Sequence, residues 1–240
     1  MEQHVHPQTC ARLTGVLFLI TFITAIPALI LFGPVLHDPS YVTGDGADAR
    51  IFFGAILELL LIVANIGTAL ALYPVMKYQN EGLALGYVAA RIVECVFIAV
   101  GILAVLSVVT LRQHAGSLDT GTLLALSAAL VAVKDWTFLL GPGFVVGIGN
   151  GLMLGYLMYR SNLMPRALSL LGLVGGPLVC ASGIAVMFGV MAAGSVGQFV
   201  ATIPEIAWEL SLGIYLSIRG FRPAPLLATG HWRGSGGQDA

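Results

Sequence analysis

Apolar residues run through this chain in long stretches broken by short polar turns. Six of the stretches reach the length of about 20 residues that a helix needs to cross a bilayer core. Such a core holds no water to satisfy backbone N–H and C=O groups, so each stretch must be helical. The predicted spans run from about Arg12 to Val35, Ile51 to Met76, Leu83 to Leu111, Trp136 to Tyr159, Ala167 to Val190 and Gly197 to Ile218. The first is too long for a signal-peptide core and reads as an uncleaved helix. Asp38, Asp45 and Asp48 lie in the loop from His37 to Arg50, and the turns Lys77–Gly82 and Arg160–Arg166 are tight and polar.

One stretch resists this reading. Gly121 to Val133 is apolar but short, and Lys134 and Asp135 interrupt it. Thr120, Ser127 and Lys134 recur every seven residues, which puts them on one helical face. With six spans and the N-terminus inside, Arg12, Lys77, Arg160, Arg166, Arg219, Arg222 and Arg233 fall on the cytoplasmic side, against Arg50, Arg112 and Lys134 outside. A seventh span over residues 120–140 would reverse that bias for everything after it. Residues 119–135 are therefore expected as an extra amphipathic or half-inserted helix on the outer side. The fold expected is an all-α membrane bundle over residues 1–220, both termini cytoplasmic, in a cell membrane. Residues 221–240 are expected as a disordered cytoplasmic tail.

Composition agrees. Only 10% of the residues are charged, whereas a soluble domain carries roughly 25%. A net charge of −1 with no basic patch argues against nucleic acid as a partner; membrane lipids are the partners implied. Cys10, Cys95 and Cys180 make neither a disulfide framework nor a metal spacing. His4, His6, His37 and His231 are not paired by any ligand rule, so no metal is expected. No Walker loop, HExxH, GxSxG or nucleotide fingerprint occurs, and no cofactor is implied.

Charge changes the picture inside the spans. An ionisable residue there costs about 2.5–3.5 kcal/mol on insertion scales, yet the spans hold Glu58, Arg91, Glu94, Glu205 and Glu209. At a rise of about 1.5 Å per residue, Glu58 lies about 11 Å from the outer end of its span and Glu94 about 16 Å from the inner end of its own. Glu205 and Glu209 lie about 12 and 18 Å from the outer end of theirs. All four carboxylates are thus expected near the middle. Tyr87, Arg91 and Glu94 form one polar stripe, and Arg91 can pair with Glu94 at i, i+3. Asn65 shares a face with Glu58, and Trp208 stands beside Glu209, too deep for an interfacial aromatic. Four carboxylates and one guanidinium sum to −3 when ionised. Either some carboxyls hold protons, since burial and like charge disfavour ionisation, or a cation sits among them.

Gly143, Gly147, Gly151 and Gly155, spaced by four, make a smooth helix-packing ridge. Asn150 interrupts an adjacent face and reads as an interhelical hydrogen-bond donor. Trp136, Tyr156 and Tyr159 read as interfacial aromatics.

Three blocks carry a resemblance: YPVMKYQNEGLALGYVAARIVE at Tyr73–Glu94, YRSNLMPRALSLLGLVGG at Tyr159–Gly176, and ELSLGIYLSIRGF at Glu209–Phe221. Together they resemble the bacterial multi-pass membrane family catalogued as domain of unknown function 4386, over most of the chain from the first span to Phe221. The resemblance implies a membrane protein of about this size, with Arg91, Glu94 and Glu209 among the family's motif positions, and carries no mechanism across. Three readings stay open. The midplane cluster binds a proton, a small cation or the polar head of an amphiphile; or the chain is an intramembrane enzyme on a lipid or isoprenoid-like substrate; or it is a structural or regulatory subunit docking through its glycine ridge.

Overall fold

The structure, a computed structural model, describes residues 6–44, 46–116 and 118–228. Every regular element among them is helical. Helices α1 (Pro7–His37), α2 (Asp48–Met76) and α3 (Glu81–Gln113) come first, with a short 3-10 turn at Pro39–Thr43. Next is α4 (Thr120–Phe138), which passes through π-helical turns at Leu139–Val145 and Gly147–Leu154 into α5 (Gly155–Ser161). Helices α6 (Arg166–Met187), α7 (Val196–Arg219) and the single turn α8 (Pro225–Ala228) complete the described residues. Among the described residues, six helices are long and apolar enough to cross a membrane, with Thr120–Ser161 acting as one.

Local chemistry sets the ends. Asn80, Asp119 and Ser195 accept from the N–H groups of Leu83, Thr122 and Gln198 and so start α3, α4 and α7. Asn162 at φ 57 ends α5, and Gly220 at φ 67 ends α7, where the left-handed backbone suits glycine.

The extra outer helix expected over residues 119–135 is not a separate element. It continues without a break into the fourth span, giving a 42-residue helix. The seven-residue face was real, but it turns inward: Ser127 and Lys134 are buried and only Thr120 is exposed. Lys134, expected outside, meets the Glu58 carboxylate of α2 in the bundle, which ties α4 to α2 instead of letting it lie flat.

The spans form a ring in the order α1, α2, α3, α4–α5, α6, α7, and α7 packs back on α1. Gln8 and Phe221 exchange side-chain and backbone hydrogen bonds of 2.9 Å, and Arg222 N–H donates to Leu163 O at 2.7 Å. These ties level the helices at the end that bears the termini. The excess length of α1 (31 residues), α3 (33) and Thr120–Ser161 (42) over α6 (22) and α7 (24) is therefore at the far end. Residues 221–228, placed by the sequence in the disordered tail, include the buried Phe221, and Leu226 and Leu227 pack on the core. The remainder of that tail, 229–240, lies outside the described residues, as do Arg233, His231, His4 and Asp45.

Two apolar cores stack along the ring. One, near the termini, draws on all six spans and includes Phe18, Leu72, Tyr87, Leu154, Trp208 and Leu212. The other, at the far end, is built by α1 to α4 and the 3-10 turn, with Phe32, Ile51, Ile102, Val105 and Leu123. Helices α6 and α7 contribute nothing to its buried set. The intramembrane polar groups lie mostly between these two cores.

Candidate functional site

Counted from the termini-bearing ends of their helices, Asn65, Arg91, Asn150 and Glu209 stand about 15–17 Å deep, and Glu94 and Glu205 about 20 Å. They form one polar layer. Its α2–α3 half is knitted by side-chain bonds, although Arg91 Nε has no partner among the described residues. Arg91 Nη1 donates to Glu94 Oε2 at 2.7 Å, and Arg91 Nη2 donates to Asn65 Oδ1 at 2.8 Å. Asn65 Nδ2 returns to Glu94 Oε1 at 3.0 Å, closing a three-residue loop. Thr68 Oγ1 donates to Asn65 O at 2.6 Å and stands 3.4 Å from the Tyr87 hydroxyl. The guanidinium also lies 5.5 Å from the Phe18 ring of α1, a cation–π contact inside the bundle. Charge-assisted bonds of this kind are the strong ones, and every member of this set is buried.

The α4–α7 half is different. Asn150 Nδ2 donates to Glu209 Oε1, and Trp208 Nε1 donates to Asn150 O at 2.9 Å. Glu205 is 2% exposed, and neither of its carboxylate oxygens has a hydrogen-bond partner among the described residues. The same holds for Asn150 Oδ1. Glu205 faces Glu209 on its own helix, Arg91 on α3 and Cys180 on α6. Glu209 also faces Arg91, Glu94 and Tyr87. The extra negative charge is thus gathered on α7.

Glycines decide where the Glu205 carboxylate can lie. A methyl group at Gly151 or at Gly175 would stand 2.8 Å from Glu205 Oε2, so the carboxylate fills a seam between the π-helical turns and α6 that only glycine leaves open. Gly151, Gly147 and Gly155 of the ridge face α6; a methyl at Gly147 would stand 2.7 Å from Gly176 O. Gly143 meets no other helix within 4 Å.

Glu205 is also the first buried residue of α7, because residues 196–204 pack on no core. Glu209 is only partly covered, although Glu205, Leu212, Gly213 and Leu216 on the same face are all buried.

Glu58 does not join this layer. It lies about 27 Å from the termini-bearing end of α2, two turns beyond Asn65. Lys134 Nζ donates to both of its oxygens, at 2.6 and 2.8 Å, and stands 5.1 Å from the Phe32 ring. Gly101 makes room for this approach: a methyl there would stand 3.0 Å from Lys134 Cδ. Depth counted from the outer ends misplaced Glu58, because α1 to α4 overhang α6 and α7. Among the described residues, no three of His, Cys, Asp or Glu gather to hold a metal ion.

The residues that sequence reasoning passed over are Lys134, Thr68, Phe18 and Phe32. The seven-residue spacing marked Lys134 without showing which way its face turned. Nothing distinguished Phe18 and Phe32 from lipid-facing residues.

The model of a family described as "Domain of unknown function (DUF4386)" matches residues 13–220. All three sequence blocks lie inside that match but for Phe221. No curated protein and no solved structure matches the chain.

Proposed function

The chain belongs to the DUF4386 family, and we propose that this member binds protons inside the membrane, with Glu205 and Glu209 as the groups that take them up and release them. The observation that carries this is Glu205: a buried carboxyl with no donor to either oxygen and a second carboxyl one turn away. An ionised carboxylate there would cost several kcal/mol, whereas a proton removes the charge. Arg91 cannot neutralise both acids, since Glu94 and Asn65 already hold it.

This places the protein with binding or transport-type membrane proteins. The subunit reading loses support, because three of the four ridge glycines are occupied by the chain's own α6. The setting proposed is a cell membrane with cytoplasmic termini. Arg12, Lys77, Arg160, Arg166, Arg219 and Arg222 lie towards the termini-bearing end, against Arg50 and Arg112 at the far one. Lys134 no longer counts for the far side.

Trp208 is the natural reporter, being joined to Glu209 through Asn150. In full-length protein carrying Trp136→Phe and Trp232→Phe, reconstituted in liposomes, Trp208 emission should titrate with pH. Glu209→Gln should remove or displace that titration. Emission independent of pH would overturn the proposal.

A further inference from the structure

Among the described residues, the buried hydroxyls of Thr14 on α1 and Ser169 on α6 lack a partner beside α7, and so do three carboxyl and amide oxygens: both of Glu205, and Oδ1 of Asn150. One proton on Glu205 turns one of these oxygens into a donor and can satisfy one acceptor. It leaves the set short. A bound cation, by contrast, needs oxygens of just this kind and no donor.

The surroundings are of the kind a small cation needs. Glu205 Oε2 is in the glycine seam, where Gly151 and Gly175 bring backbone against the carboxylate. The Gly176 carbonyl oxygen faces Gly147 across the same seam. These groups offer oxygen donors only, which suits a hard cation rather than a thiophilic or imidazole-binding metal. The π-helical turns at Gly147–Leu154 loosen the helix at this level, as broken helices do at the ion sites of many transporters. Charge sets the valence. Arg91 is committed to Glu94, and Asn150 Nδ2 already bonds Glu209. One carboxylate, Glu205, is left wholly unmet, and a single free carboxylate balances one positive charge, not two.

We propose that Glu205 and Asn150 Oδ1, with backbone carbonyls of the glycine seam, form a binding site for a monovalent alkali cation of sodium size, which competes with the proton for Glu205. This rests on the proton-binding reading of the same site and names its second ligand. Sodium and proton then exclude one another at Glu205, as a coupled exchange across the membrane requires. Arg91 and Glu94 on α3, Glu209 on α7 and Cys180 on α6 are the titratable groups that face the site.

The test uses the liposome-reconstituted Trp136→Phe/Trp232→Phe chain. Trp208 emission is titrated with pH in sodium, potassium or N-methylglucamine chloride at constant ionic strength. Competition at one site shifts the midpoint down by about one pH unit for each tenfold rise in sodium above its dissociation constant. Potassium should shift it much less. Glu205→Gln should abolish the sodium shift, and Asn150→Ala should weaken apparent sodium affinity at least tenfold. A titration that persists with the same midpoint in all three salts, or with equal shifts in sodium and potassium, overturns the cation site and leaves proton binding standing. Loss of any titration in every salt overturns both.

Discussion

Lys134 Nζ lies 2.6 and 2.8 Å from the two oxygens of Glu58, across 76 residues of chain. The contact removes one carboxylate from the uncompensated set and adds one cation. Two cations, Arg91 and Lys134, now face four acids, and the formal excess falls from −3 to −2. That excess is on Glu205 and Glu209.

Breaking this pair should be costly. Lys134→Met leaves Glu58 buried without a partner, and about 3–5 kcal/mol of stability should be lost. Lys134→Met with Glu58→Gln should recover most of it. Chemical or thermal unfolding of the two single variants and the double variant in mild detergent measures the coupling. Additive losses would mean that the two side chains do not depend on each other.

Arg91→Lys should not behave as a conservative change. The guanidinium holds Glu94 with Nη1 and Asn65 with Nη2, and an ammonium group lacks that planar fork. One acceptor is left buried and unpaired, at a cost of about 1–3 kcal/mol. Unfolding of Arg91→Lys beside Asn65→Ala checks this. A lysine variant as stable as the parent would contradict the loop of bonds described.

Much of this was legible in the chain. The apolar runs gave six spans because a bilayer leaves the backbone no alternative. Arg91, Glu94 and Tyr87 were placed on one face by spacing alone, since i, i+3 and i+4 neighbours on a helix must meet. Contacts between distant segments were not legible. The direction of the Lys134 face depended on Glu58, and the step from Asn150 to Glu209 depended on how α4 and α7 cross. The π-helical turns have no pattern of their own in the sequence, and they alter which residues of Leu139–Leu154 look inward. Depth failed for Glu58 because helix lengths differ, and the overhang of α1 to α4 is a tertiary property.

The glycines separate by position. Gly151→Ala puts a methyl 2.5 Å from Gly176 Cα and should cost about 1–3 kcal/mol by overpacking. Gly143→Ala meets nothing closer than Phe138 O at 3.6 Å and should be neutral or slightly stabilising. Thermal unfolding of the two variants side by side reads this. Equal effects would contradict the packing of α4–α5 on α6.

Tyr41, in the 3-10 turn, is buried, and its hydroxyl donates to Asp48 Oδ1 at 2.7 Å. Burial first, and then the Asp48 carboxylate, push its ionisation up to about 12. The folded value exceeds the unfolded value of about 10, so the neutral phenol stabilises the fold fully below about pH 10 and that support fades as pH rises through about 12. Tyrosinate absorbance should show one late-titrating tyrosine fewer in Tyr41→Phe. An unchanged late component would refute the contact.

A protonated Glu205 is most directly visible in the infrared carbonyl region of the reconstituted protein near neutral pH. A band of a neutral carboxyl group, sensitive to deuterium exchange, should be present in the parent and absent from Glu205→Gln, with Glu94→Gln leaving it in place. No such band in the parent, or one that survives Glu205→Gln unchanged, would contradict proton binding at this site.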